Sequence, residues 1–309
     1  MHNSEGTTVN MKITAYANAK INLFLDIKAR RADGYHDIVS IMQSVDLCDT
    51  LTVEYTESNI FDITVECDQS NVPLGDDNLV VKAAKKLVKT GRIHVYINKK
   101  IPMSAGLAGG SADAAAMLVA LNHLLGEPYS ITELKTIGAT LGADIPFCIE
   151  GGACLVEGIG DIMTPITPMP NAPIVISRMG EGMSTPKAYG ALDIKYNNFK
   201  AREPYISKLQ TLMSVESQSN IHAYSDGMFN IFETVVEDVR TCVPLLKETM
   251  ISCGATKAMM SGSGTSVFGI FQNEDDAIKA RDRLIAEGAV AFVAHPTAKG
   301  TELKIEQDN

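Results

Sequence analysis

The segment GLAGGSADAAAMLVALNHLLG, from Gly106 to Gly126, constrains this chain more than any other. Gly106, Gly109 and Gly110 permit backbone angles and close approaches that other residues forbid. Ser111 suits an N-cap, and Met117, Leu118, Leu121, Leu124 and Leu125 recur at helical spacing on one apolar face. Gly126 supplies a stop. The pattern predicts a glycine loop that runs directly into a helix N-terminus, where free N–H groups and the helix dipole favour phosphate. A plain glycine turn ahead of a helix looks the same, so this segment alone leaves both readings open. It does exclude one class. A Walker A loop requires Gly-Lys followed by Ser or Thr, and no Gly-Lys dipeptide occurs in the chain. A phosphate held here needs its cation from elsewhere.

Around this segment the pattern alternates between strands and helices. KITAYANAKINLFLDI, TLTVEYTE and FDITVEC read as strands, and DNLVVKAAKKLVKT as a helix with Asp76 or Asp77 as its N-cap. RIHVYINKKIP reads as a strand, SITELKTIGATLG as a helix, and GACLVEG with DIMTPI as a hairpin. TPITPMPNAP has four prolines in ten residues and marks a domain boundary, giving segments 1–170 and 171–309. Beyond it come a strand (PIVISRM), a mostly helical region, a strand (ATKAMMSGSGTSVFGIF), a helix (EDDAIKARDRLIAEG) and a last strand (AVAFVAH). This order predicts a small α+β second domain.

Composition narrows the partners. With 309 residues, 45% of them hydrophobic, the chain is long enough for two ordinary domains. A net charge of −10 disfavours nucleic acid and anionic membrane, while a local cationic pocket for an anionic small molecule remains open. No apolar run approaches membrane-spanning length. The leader MHNSEGTTVN reads as neither signal nor transit peptide. Cys48, Cys67, Cys148, Cys154, Cys242 and Cys253 form no C-x-x-C pair and no zinc-like cluster, so reduced thiols in a cytoplasmic protein are expected. No obligate protein partner is evident.

Three further segments occur in register with the glycine loop: AKINLFLDIKARRADGYHDIVSIMQSVDLCDTL, LGADIPFCIEGGACLVEGIGDIMTPI and SGSGTSVFGIF. Together, from about Ala19 to Phe271, they resemble the GHMP kinase superfamily, whose phosphate loop caps a helix without a Walker A lysine. The K-I-N-L-F-L…R-x-D-G-Y-H opening resembles the branch that phosphorylates a cytidine diphospho-alcohol. The resemblance implies an α+β fold of two domains, the first ribosomal-S5-domain-2-like and nucleotide-binding, the second ferredoxin-like. It also implies ATP as donor, with Mg²⁺ inferred from ATP chemistry.

The resemblance assigns roles by position. Asp144, in LGADIPF, matches the catalytic aspartate; by its residue type alone it is equally a turn or helix-terminal aspartate. Lys20 matches a lysine beside that aspartate, and so is the cation the loop lacks; without the resemblance it is a strand lysine that snorkels to solvent. Asn78, Lys99 and the run Pro102, Met103, Ser104, Ala105, Gly106, Leu107, Ala108, Gly109, Gly110, Ser111 and Ala112 match the ATP site. Asn22, Tyr35 and His36 match positions that hold the cytidine end, with Thr185 and Tyr189 in STPKAY supplying a second aromatic across the base. Gly262 and Gly264 match a turn that closes the substrate site, and a plain hairpin turn is the other reading.

One departure stands out. Relatives commonly carry two serines after the loop glycines, whereas here Ser111 is followed by Ala112 and Asp113. Asp113 in the first helical turn is expected to point away from the phosphate or to act through Mg²⁺. No residue is assigned as a metal ligand. Other readings stay open: a GHMP kinase for homoserine, mevalonate or a sugar, a non-catalytic sensor on the same fold, and a nucleic-acid module, which the acidic balance opposes.

Overall fold

The structure is a computed structural model that describes residues 10–200, 204–214 and 219–304. The reading of the leader falls mainly on residues 1–9, outside the described residues. Strands β1 (Asn10–Arg30) and β2 (His36–Thr56) form a hairpin of two 21-residue arms. There follow β3 (Phe61–Cys67), α1 (Leu79–Leu87), β4 (Gly91–Asn98), α2 (Gly109–Leu124), α3 (Ile131–Ala139), α4 (Ile145–Glu150), β5 (Ala153–Gly158) and β6 (Ile162–Pro165). The later chain gives β7 (Ile174–Arg178), α5 (Thr185–Lys195), α6 (Ile206–Leu212), α7 (Ile221–Gly227), β8 (Phe229–Asn230), α8 (Glu233–Val236) and α9 (Cys242–Ser252). It closes with β9 (Lys257–Met260), β10 (Val267–Ile270), α10 (Glu274–Ala286), β11 (Val290–Ala294) and β12 (Thr301–Lys304).

The first sheet runs β12–β1–β2–β4–β3, with β5 and then β6 added along β2 and β8 along β1. β2 is long because it serves two neighbours: residues 38–43 pair with β5 and residues 50–56 with β4. Register shifts near Asn18, Asn22 and Ile27 interrupt the β1–β2 ladder, as bulges that bend a long hairpin do. The two-residue alternation of β1 sends Ala15, Ala17, Ala19 and Ile21 into the main apolar core. Lys20 and Asn22 fall on the opposite face, yet both are buried. The second sheet runs β11–β7–β10–β9. Leu25, Ile27 and Ile38, at the far end of the hairpin, belong to the core of that second sheet. The hairpin thus joins both halves, and the cavity described below lies at this junction.

Several local expectations are corrected. The N-cap of α1 is Asn78, whose Oδ1 accepts from Val80 N, rather than Asp76 or Asp77. Helix α2 begins two residues before Ser111, with Ala108 at the N-cap in the left-handed region. Its alanines and even Asp113 and Asn122 are buried alongside Met117, Leu118 and Leu121, so the helix is enclosed nearly all round instead of presenting one apolar face. ATKAMMSGSGTSVFGIF is two antiparallel strands, β9 and β10, joined by the glycine turn. β12 has no counterpart in the sequence reading and returns the chain to β1 of the first sheet. Among the described residues no helix is long and apolar enough to cross a membrane.

Candidate active site

The glycine loop is shaped by an opposing turn. Gly106 has φ +79°, and a Cβ there would collide with the carbonyl oxygen of Ser261. Gly109 and Gly110 are helical, and the other left-handed residues of the loop are Ser104 (φ 50°) and Ala108 (φ 59°). Strain at two non-glycine residues of one short loop is characteristic of functional sites. The sharp entry leaves the first N–H groups of α2, at Gly109, Gly110 and Ser111, without intrahelical partners, and all three residues line one cavity of about 530 Å³.

Lys20 and Asp144 line the same cavity. Lys20 is only 5% exposed, and its Nζ donates to Asn22 Oδ1 at 2.6 Å. Asn22 is held in turn, its Nδ2 donating to Ser40 Oγ at 2.8 Å while Ser40 Oγ donates to Phe24 O. Ser261 Oγ accepts from Asn22 N at 3.2 Å and donates to Gly106 O at 2.9 Å, which ties β1 to the glycine loop. Asp144 sits at the N-cap position of α4 but makes no side-chain cap. The helix-terminal reading is therefore right about its place, while its half-buried carboxylate is left to the cavity.

Tyr189 also lines the cavity, in a T-shaped contact with Phe232 with ring centroids 4.9 Å apart. Its phenol is pushed up to about 12 by burial and by the charge of Asp144, so it stays neutral. One face of its ring is stacked by His36 with centroids 4.6 Å apart, and His36 Nε2 lies 2.7 Å from Asp193 Oδ1. Tyr35, expected against the base, is 63% exposed at the hairpin tip and lines no part of the cavity. His36 also sits behind Tyr189 rather than in the cavity wall.

Lys99 is also placed elsewhere than expected. Its side chain is 4% exposed, with Nζ 2.5 Å from Asp49 Oδ2 and 2.7 Å from Asp113 Oδ2. Burial would lower its pKa, but Asp113 and Asp49 more than offset this and hold it above the ordinary lysine value. Asp113 turns its carboxylate to Lys99 and lines no part of the cavity. Burial raises its carboxyl to about 7 against the pull of Lys99, and its Oδ1 has no partner. The ammonium lies beneath Gly109, where a Cβ would come within 3.4 Å of it. Lys99 thus braces the loop from below, because two buried carboxylates draw it there.

Of the expected nucleotide residues, Ser104, Ala105, Gly106, Ala108, Gly109, Gly110 and Ser111 line the cavity. Asn78, Pro102, Met103, Leu107 and Ala112 do not. Asn78 is occupied in capping α1, and Leu107 and Ala112 are in the core. Of the expected substrate residues, Asn22, Thr185, Tyr189, Gly262 and Gly264 are brought together. The sequence reading missed Leu25, Ile38, Met42, Leu79, Met183 and Phe232 in the wall, along with the supporting Ser40, Ser261 and Asn230. Asn230 Nδ2 donates to both Met260 O and Gly262 O, fixing the turn over the loop.

Comparison with known proteins adds the following. The family described as GHMP kinases N terminal domain matches residues 78–152, and GHMP kinases C terminal matches residues 217–290. The chain is 39% identical over 293 residues to a protein of Clostridioides difficile named 4-diphosphocytidyl-2-C-methyl-D-erythritol kinase, covering 93% of this chain and 96% of that one. A protein of the same name from Acetivibrio thermocellus is 40% identical over 276 residues, covering 88% and 94%. A crystal structure of 4-(cytidine 5'-diphospho)-2C-methyl-D-erythritol kinase superposes with a TM-score of 0.73 at 26% identity, covering 93% of this chain and 99% of that one. Homoserine kinase from Cytophaga hutchinsonii shares the fold, with a TM-score of 0.72 at 18% identity over 98% and 99% of the two chains.

Proposed function

The chain belongs to the GHMP kinases, and from that premise we propose that it transfers the γ-phosphoryl group of ATP to the 2-hydroxyl of 4-diphosphocytidyl-2-C-methyl-D-erythritol, a step towards isoprenoid precursors. The observation that carries this reading is the convergence of Lys20, Asp144 and the open N-terminus of α2 on one cavity. Phosphoryl transfer asks the protein for alignment, charge neutralisation and a proton acceptor, and little covalent chemistry.

Each part is supplied by a different element. The N–H groups at Gly109–Ser111 and the dipole of α2 favour the donor's phosphates. Asp144 orients the acceptor hydroxyl and takes its proton as that oxygen bonds to the γ-phosphorus. The bond from phosphorus to the β,γ-bridging oxygen breaks, and ADP leaves. Lys20, held by Asn22, places a positive charge beside the reacting oxygens, a preorganised contribution of the kind that dominates such steps. The apolar wall of Leu25, Ile38, Met42 and Phe232 with Tyr189 is suited to a pyrimidine ring.

A divalent cation generally accompanies ATP in such enzymes. Among the described residues no group of three His, Cys, Asp or Glu side chains stands together for a metal, and Asp113 is turned to Lys99. We assign residues 1–170 to the nucleotide-binding part and 171–309 to the part that completes the substrate site. Purified protein given ATP, Mg²⁺ and the cytidine diphospho-alcohol should release ADP with one phosphate added at the 2-hydroxyl, read by ³¹P NMR. Turnover of homoserine or mevalonate in its place would overturn the assignment of the acceptor.

A further inference from the structure

Beside the cavity, though outside its lining, stand two arginines that the roles above do not use. Arg178 ends β7, and Arg240 precedes α9. They meet at Gly182. Arg240 Nη2 donates to Gly182 O at 3.2 Å, and a Cβ on Gly182 would lie 3.5 Å from Arg178 Nη2. The same Cβ would lie 2.6 Å from the carbonyl oxygen of Ser104, the first polar residue of the glycine loop. Met183 and Ser184, the next residues along, line the cavity.

These guanidinium groups are unusual in what they lack. Arg30, Arg31, Arg281 and Arg283 pair with carboxylates, and Arg92, which pairs with none among the described residues, is exposed on β4. Arg178 and Arg240 pair with no carboxylate among the described residues, and the Nε of each is buried without a hydrogen-bond partner. Glu181, adjacent to Gly182, is exposed and pairs with neither. Two half-buried like charges side by side are costly unless an anion offsets them.

We propose that Arg178 and Arg240 form an anion subsite beside the cavity, next to its lining residues Ser104, Met183 and Ser184, that takes a diphosphate group. Two forked guanidinium groups across a glycine match the spread oxygens of a diphosphate, which they can bind in bidentate fashion. The choice of diphosphate over a simple carboxylate rests on the kinase reading, in which both ATP and the cytidine diphospho-alcohol carry that group.

The test titrates the full-length protein with inorganic pyrophosphate by calorimetry, comparing wild type with Arg178→Gln and Arg240→Gln, and then measures KM for each substrate. Loss of a charge-assisted contact should weaken pyrophosphate binding about tenfold or more in each variant. Arg178→Lys, which keeps the charge and loses the fork, should fall between. Because Arg178 makes no side-chain hydrogen bond within the described protein, Arg178→Gln should not lower the melting temperature of the ligand-free protein, so it decides the matter even if Arg240→Gln, which frees Gly182, folds poorly. A rise in KM for the acceptor alone assigns the subsite to its diphosphate, and a rise for ATP alone assigns it to the donor. Pyrophosphate affinity within about twofold of wild type in Arg178→Gln, or no binding by wild type, overturns the subsite. If the cytidine diphospho-alcohol is never turned over, the kinase assignment falls while the titration still decides the arginines.

Discussion

The backbone N–H of Lys20 donates to the carbonyl of Leu107 at 3.2 Å, so the strand that carries the ammonium is bonded directly to the loop expected to hold the phosphates. Ser261 closes the arrangement from the other side through Gly106 O and Asn22 N. Strand, loop and turn are therefore in fixed register before any ligand arrives. Such preorganisation makes the consequences of single substitutions specific.

Asp144 and Lys20 are expected to act on the chemical step. Asp144→Asn keeps the shape and removes the base, so kcat should fall about 10²–10⁴-fold. Lys20→Met should cost about 10²–10³-fold. Binding of a non-hydrolysable ATP analogue, measured by calorimetry, should change less than about threefold in either, because the N–H groups of α2 are untouched. An Asp144→Asn protein with near-normal kcat would remove the carboxylate from the proposed mechanism.

Gly106→Ala should be worse than a loop substitution normally is. The new Cβ meets Ser261 O on a backbone with φ +79°, so either the loop or the turn must move. A loss of about 2–4 kcal/mol in folding stability is expected, with weakened ATP binding. Ser261→Ala leaves the backbone alone and removes two hydrogen bonds at a buried site, costing about 1–3 kcal/mol. Denaturant titration with parallel nucleotide binding checks both. Equal effects of the two substitutions on ATP affinity would argue against Gly106 as the tighter constraint.

The reach of the sequence follows from the distances its patterns span. Lys20 and Asp144 could be placed only through the family resemblance, since residue type alone leaves a solvent-facing strand lysine and a turn or helix-terminal aspartate. Lys99 could not, since the carboxylates that draw it inward, Asp49 and Asp113, stand 50 and 14 residues away. His36 was likewise expected in the cavity, and its position behind Tyr189 is set by Asp193, 157 residues distant. The start of α2 was missed for a different reason. A left-handed alanine at the N-cap goes against local propensity. Strand β12 is four residues of weak alternation, recruited by the free edge of β1.

Tyr189 should act through its ring and not its hydroxyl. With the phenol raised to about 12, Tyr189→Phe changes no charge at working pH and should leave kcat/KM within about twofold of wild type. Tyr189→Ala removes the stacking surface and should raise KM for the cytidine diphospho-alcohol about 5–100-fold, with KM for ATP little changed. Steady-state kinetics on the three proteins separates these. A large loss in Tyr189→Phe would mean the hydroxyl itself contacts substrate.

Asp113 gives the fold a pH dependence opposite to that of an ordinary salt-bridged aspartate. Burial holds its folded pKa at about 7, whereas in the unfolded chain it titrates near 4, at about 3.9. Between those values the folded protein binds more protons than the unfolded, so this group's contribution falls as pH rises through the window. The penalty is complete above about pH 7. Asp113→Asn removes the titration while its amide oxygen can still accept from Lys99, which also keeps Asp49. The melting temperature of wild type minus that of the variant should therefore be largest near pH 4, shrink steadily towards about pH 7 and level off above it. A difference that stays constant, or grows with pH, would show that Asp113 is already fully ionised in the folded protein and that Lys99 outweighs its burial.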